Sequence, residues 1–157
     1  MQQARWWILT LSFLAAPVTH AATTDPTYAS APWDVRNGAA SVAASANYGK
    51  GITFGVVDTG LVPSPWFSQA YNGQGLNNIN TTKSGICLNG TCTATNPQTS
   101  PNDTQGHGTF VASEIVGGIK SAGYAGIAPA GQLLSVKVFG SNGGASGVDV
   151  YNGIRYA

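Results

Sequence analysis

Two short apolar runs constrain this chain more than any other feature: Ile52-Thr53-Phe54-Gly55-Val56-Val57 and Leu133-Leu134-Ser135-Val136-Lys137-Val138-Phe139. Both are rich in β-branched and aromatic residues, and neither shows the strict apolar–polar alternation of a strand with one wet face. Runs of this kind are strands covered on both sides, as in parallel sheets. Between them, from Gly106 onward, Val111, Ile115, Val116 and Ile119 suggest a helix with one apolar stripe. Earlier, Trp33 to Tyr48 carries Val35, Ala39, Val42 and Ala46 at helical spacing, and Gly49 and Gly51 stop it. After the second run, a glycine-rich loop over 140–145 leads to Ser146, a capping residue for a helix that begins near Gly147. Residues 61–105, rich in Asn, Gly, Ser, Thr and Pro, read as surface loops and short hairpins. Strand and helix in alternation predict an α/β fold, a parallel sheet with helices on both faces.

The first residues read as an export signal rather than as part of the fold. One positive charge in Met1–Arg5 precedes the apolar stretch Trp6–Val18, and Thr19-His20-Ala21 places small residues at a cleavage site. The expected organisation is a secretory signal peptide over 1–21 and one domain over 22–157, with residues 22–32 an extended lead-in. The product would be secreted, periplasmic or at the cell surface. The membrane enters only through export, because no later segment is apolar for the roughly 20 residues a spanning helix needs. In an oxidising compartment Cys87 and Cys92, which flank an Asn89-Gly90 turn signal, close a small disulfide loop. Two cysteines with no histidine nearby make half a metal site at most. A net charge of +1 with 8% charged residues excludes a polybasic nucleic-acid binder.

Removal of 1–21 leaves His107 as the sole imidazole. It lies between Gly106 and Gly108 at the start of the expected helix, and flanking glycines let other backbone approach the ring closely. Asp58 follows the first expected strand, at the carboxyl end where open parallel sheets place their ligand sites. An Asp-Thr-Gly turn there is also ordinary punctuation. Paired with His107, however, such a carboxylate would hold the imidazole in one tautomer, ready to accept a proton.

Four motifs in order, Gly55-Val56-Val57-Asp58-Thr59-Gly60, Gly106-His107-Gly108-Thr109-Phe110-Val111-Ala112, Gly126-Ile127-Ala128-Pro129 and Val136-Lys137-Val138, resemble the subtilisin-like serine peptidases, or subtilases. The resemblance implies a subtilisin-like fold and peptide-bond hydrolysis without a cofactor. Asp58 would orient His107, and His107 would act as general base and then general acid. Gly143, Gly144 and Ala145 match the strand-like edge that pairs with an extended polypeptide substrate. Asp103 would line the neighbouring substrate pocket.

The departures from that pattern carry expectations of their own. The family's serine opens a later helix in a Gly-Thr-Ser-x-Ala motif, and nothing like it occurs in these 157 residues. The oxyanion-hole asparagine is missing as well. The chain stops within a helical pattern, so residues 22–157 read as the amino-terminal part of an incomplete catalytic domain whose missing carboxyl-terminal half would be its structural partner. The 157-residue chain by itself is expected to be inactive; the alternative is a truncated product or pseudo-peptidase that at most binds peptides. Residues 22–57 leave no room for a separate folding propeptide. The stretch between Asp58 and His107 is longer than in compact bacterial members and holds the cysteine loop, read as a surface elaboration near the cleft. Lys120 stands where calcium-binding relatives supply an asparagine oxygen, which argues against that metal site.

Overall fold

The computed structural model describes residues 47–64, 67, 78–119 and 124–157. The signal peptide over 1–21, the lead-in, almost all of the helix expected over 33–48, and Lys120 lie outside the described residues. Those described form the strands β1 (Thr53–Asp58), β2 (Gly85–Leu88) and β3 (Thr91–Ala94), the helix α1 (His107–Val116), the strands β4 (Gly118–Ile119), β5 (Tyr124–Ala125) and β6 (Gln132–Lys137), and the helix α2 (Gly147–Tyr156).

The two apolar runs pair with each other. β1 and β6 are parallel and in register from Thr53 opposite Gln132 to Asp58 opposite Lys137. The ladder runs one residue beyond the expected end of the first strand, because the Asp58 carbonyl accepts a hydrogen bond from Val138 N–H at 2.9 Å. Asp58 is therefore the last residue of β1 rather than the first after it.

Alternation along these strands sends side chains to two separate cores. On one face Val56 and Leu133 pack with Leu61, Phe67 and Ile79 against Ala112 and Val116 of α1. On the other, Leu134, Val136 and Val138 pack with Cys87 and are met by Val150 and Tyr156 of α2. Each fully buried Val, Leu, Ile or Phe side chain among these contributes about 1.5–3 kcal/mol before conformational entropy is subtracted. α2 comes unusually close to the sheet: a Cβ at Gly153 would lie 2.5 Å from a Val138 methyl and 2.9 Å from one of Val57. The α/β layering, with a helix on each face of the sheet, is the one the sequence leads one to expect.

The sheet is mixed, not wholly parallel. Its order is β1-β6-β2-β3, with β2 parallel to β6 and β3 antiparallel to β2. The cysteine loop, expected as a surface elaboration, is a hairpin that extends the main sheet at its edge, with β3 largely exposed. Asn89 and Gly90 form its two-residue turn with φ of 54° and 78°, the left-handed pair that matches strand twist. Cys87 and Cys92 face each other across the ladder and are joined by a disulfide.

α1 also ends sooner than its apolar stripe implies. The Gly117 N–H bonds back to Ser113, and Gly118 and Ile119 pair with Ala125 and Tyr124 in a small ribbon. The Gly126-Ile127-Ala128 segment then closes the helix: its N–H groups donate to the carbonyls of Gly117, Glu114 and Ile115, acceptors that a helix terminus leaves without partners.

Candidate active site

β1 delivers Asp58 to the carboxyl end of the sheet, and α1 begins there with His107. The imidazole Nδ1 lies 2.8 Å from Asp58 Oδ1 and 3.0 Å from Oδ2. A ring nitrogen between two carboxylate oxygens is the one that carries a proton and donates it, and in the neutral imidazole this leaves Nε2 as an acceptor. The Asp58 side chain is 17% exposed and the ring 67%. The carboxylate is thus sheltered while the imidazole reaches solvent. Among the described residues, Asp58 is the ring's hydrogen-bond partner and no hydroxyl bonds to it.

Backbone geometry sets this approach. Gly106 precedes the helix in the left-handed region, with φ of 88° and no side chain to cap α1. Gly108 packs against the turn after β1, where a Cβ would collide with the Gly60 carbonyl. Both glycines that flank His107 are therefore used, one for its conformation and the other for its lack of a side chain.

Beneath the pair lies a buried polar cluster that sequence reading did not find. Asp103, read as pocket lining, is instead 9% exposed and turned inward. Its Oδ1 accepts from Gln105 N–H at 3.0 Å, Gly106 N–H at 2.8 Å and the Thr59 hydroxyl at 2.8 Å. Its Oδ2 accepts from the N–H and hydroxyl of Thr109 at 2.9 and 2.6 Å. Burial acts to raise the Asp103 pKa, but the bonds from Thr109, Gly106 and Thr59 outweigh it and hold the carboxyl far below the usual carboxylate range. Asp103 so supplies the N-terminal cap that Gly106 lacks.

Thr59 links this cap to the strand tip. Its hydroxyl donates to Asp103 and accepts from Gly108 N–H at 2.8 Å, while its carbonyl accepts from Lys137 Nζ at 2.6 Å. Lys137 is buried, at 7% exposure; burial lowers its pKa, and the Asp103 charge opposes that shift. The one signal available in advance was a lysine within an otherwise apolar, doubly covered strand.

Gly143, Gly144 and Ala145 lie exposed beyond β6, but the loop is folded back rather than strand-like. Gly140 N–H donates to the Gly144 carbonyl at 2.8 Å, Gly143 N–H to the Gly140 carbonyl at 3.1 Å, and Gly144 N–H to Asn142 Oδ1 at 3.1 Å. Gly144 and Ala145 line a cleft of about 580 Å³ whose far wall is the hairpin tip at Leu88 and Asn89. That tip is held down by Asp149, which accepts from Gly90 N–H at 2.7 Å, and by Asn152, whose Nδ2 donates to the Gly90 carbonyl at 2.9 Å. The Gly90 bond leads, with the Ser146 hydroxyl second, in lowering the Asp149 pKa.

The model of the Subtilase family matches residues 49–157. Over 110 residues the chain is 32% identical to serine protease AprX of Bacillus subtilis, a match covering 69% of this chain and 21% of that protein. Over 129 residues it is 28% identical to subtilisin Savinase of Lederbergia lenta, covering 82% and 41%. A shorter match, 57 residues at 44% identity, joins it to the major intracellular serine protease of B. subtilis. The chain spans well under half the length of these relatives.

Proposed function

Because the chain belongs to the subtilase family, we propose that it is the Asp- and His-bearing part of a secreted serine-type endopeptidase. The observation that carries this reading is the contact of His107 Nδ1 with both carboxylate oxygens of Asp58. In the proposed reaction Asp58 accepts the Nδ1–H bond, fixes the tautomer and stabilises the imidazolium once it forms. Nε2 takes the proton of a serine hydroxyl as that oxygen attacks the peptide carbonyl, then returns it to the leaving amine. The substrate is a polypeptide, and Gly143, Gly144 and Ala145 are its proposed backbone partners. Pairing there requires Gly144 to exchange its bonds within the loop for bonds to substrate. No cofactor takes part.

The attacking serine is assigned to sequence other than these 157 residues, which hold no Gly-Thr-Ser-x-Ala motif. The second reading, a non-catalytic product that at most binds peptides, differs from the first only in whether such a serine is joined to these residues. Export is inferred from the pattern of residues 1–21 and not from the relatives, one of which is intracellular by name. Among the described residues no helix is long and apolar enough to cross a membrane.

Sequencing the coding DNA past Ala157, with fluorophosphonate labelling of both forms, tests the proposal. An open frame into a Gly-Thr-Ser motif, with the longer product labelled and cleaving casein while the 157-residue chain is not, supports the endopeptidase. An immediate stop codon supports the peptide-binding alternative. Specific labelling of a serine in the 157-residue chain would overturn the assignment of the nucleophile.

A further inference from the structure

We infer that Thr59, braced by Asp103 and Lys137, is a positioning residue that locks the His107 helix onto the Asp58 strand tip and so sets the geometry of the pair. The inference rests on the proposed role of Asp58 and His107, and it concerns residues that act through that pair, Thr59 touching it only by its backbone N–H, which donates to Asp58 Oδ1 at 2.6 Å.

Asp58 and Thr59 are adjacent on one element, and His107 and Gly108 are adjacent on another. Two bonds join these dipeptides in parallel: His107 Nδ1 to Asp58, and Gly108 N–H to the Thr59 hydroxyl at 2.8 Å. The first is largely exposed on the imidazole side, where water competes, whereas the second is buried. A buried bond of good geometry is the stiffer constraint, because breaking it leaves its N–H without a partner. Gly108 N–H also belongs to the first turn of α1, whose N–H groups have no partner within the helix. The helix end is thus bound by the strand-tip residue itself.

Thr59 in turn has little freedom. A hydroxyl has one hydrogen to give. With that hydrogen committed to Asp103 Oδ1, a lone pair remains for Gly108. Asp103 is fixed by four further bonds to Gln105, Gly106 and Thr109, all from the turn preceding His107 or the first turn of its helix. Lys137 holds the Thr59 carbonyl from the neighbouring strand. The carboxylate and the ammonium grip Thr59 from opposite ends, so the strand tip and the helix start move as one body. A displacement of about 1 Å in such a site is enough to cost about 100-fold in rate, which gives the clamp its consequence.

The test uses the 157-residue chain and needs no hydrolysis. Uniform ¹⁵N labelling follows two signals by NMR: the downfield His107 Nδ1–H resonance, and the exchange rate of the Gly108 amide. Thr59→Val keeps the side-chain volume and removes the hydroxyl, whereas Thr59→Ser keeps the hydroxyl. The expected result for Thr59→Val is a broadened or lost Nδ1–H signal and Gly108 exchange about tenfold faster, with the β6 amides unchanged. Thr59→Ser restores both signals. Should Thr59→Val not fold, Asp103→Asn is read against wild type by the same two signals, with the same loss expected. Wild-type signals retained in Thr59→Val, or in Asp103→Asn where that variant is used, would overturn the clamp. If wild type itself shows no hydrogen-bonded Nδ1–H, it is the reading of the Asp58–His107 pair that fails.

Discussion

Gly108 and Asp58 approach so closely that a Cβ on the glycine would stand 3.2 Å from the aspartate Cβ, while colliding with the Gly60 carbonyl. On helix propensity alone, replacing this glycine by alanine in α1 should stabilise the protein by about 1 kcal/mol. The contact predicts the opposite sign. Gly108→Ala must push the helix start off the strand tip, at a cost of about 1–3 kcal/mol for overpacking. Urea denaturation of the variant checks this, and a midpoint at or above wild type would show that the close approach is not constraining.

The Asp103 cluster predicts a pH dependence with a definite sign. Its carboxyl titrates far below its unfolded value in the folded chain, so within that window the unfolded state binds more protons and stability rises with pH. The contribution is fully present above the unfolded carboxylate pKa of about 3.9 and is lost as pH falls through the lower folded value. Asp103→Asn should cost about 2–3 kcal/mol at pH 7, the scale of hydrogen bonds to a buried charge. Wild type and variant should keep this gap down to about pH 4 and converge below it. Paired denaturation curves between pH 7 and pH 2 measure the gap directly; a gap that does not change with pH would show that the charge is not the stabilising agent.

Much of the fold was legible in the sequence because strands covered on both faces are written locally, as contiguous apolar runs such as Ile52–Val57 and Leu133–Phe139. The cap of α2 was likewise local: Ser146 Oγ accepts from Asp149 N–H at 3.1 Å, as its place before Gly147 implied. The Asn89-Gly90 turn was visible too, but not the docking of its hairpin beside β6. The ladder at that junction pairs Gly85 with Val136 and Ile86 with Lys137, residues that lie far apart in the chain. Lys137 was read as a strand residue, and nothing near it points to the Thr59 carbonyl 78 residues away. Asp103 was misread for a related reason. An acid in a polar loop is usually solvated, and only the folded chain shows five donors converging on it.

The hairpin offers a test of how much of its order comes from the disulfide. The bond spans a sequence separation of 5, so the loop entropy it removes from the unfolded chain is worth only about 2 kcal/mol. The turn, the β2–β3 ladder and the grip of Asp149 and Asn152 on Gly90 remain when it is absent. The double variant Cys87→Ala, Cys92→Ala should therefore lose about 2 kcal/mol or somewhat more, since Cys87 also fills the α2-side core. It should keep the β2–β3 amide protection seen by hydrogen exchange. Asp149→Ala made in the cysteine-free background removes the acceptor and should then release the tip, and exchange at Gly90 that does not change would rule out the latch.

The proposed catalytic pair gives the last prediction, made for the longer product expected to carry the serine. Asp58→Asn removes the acceptor charge but preserves shape, so the imidazole loses its preference for the productive tautomer. Triads in general lose on the order of 10⁴-fold in kcat from this change. KM should move little, because Asp58 lies behind the imidazole and takes no part in binding the ground state. Thr59→Val acts one step further back and should lower kcat by a smaller factor, of about 10–100-fold, with KM again little changed. The two effects should not multiply in the double variant, because a clamp that positions Asp58 has nothing left to position once the carboxylate is gone. Steady-state kinetics on the two single variants and the double variant decide the point. Fully multiplicative losses would mean that Thr59 affects catalysis by a route independent of the Asp58–His107 contact.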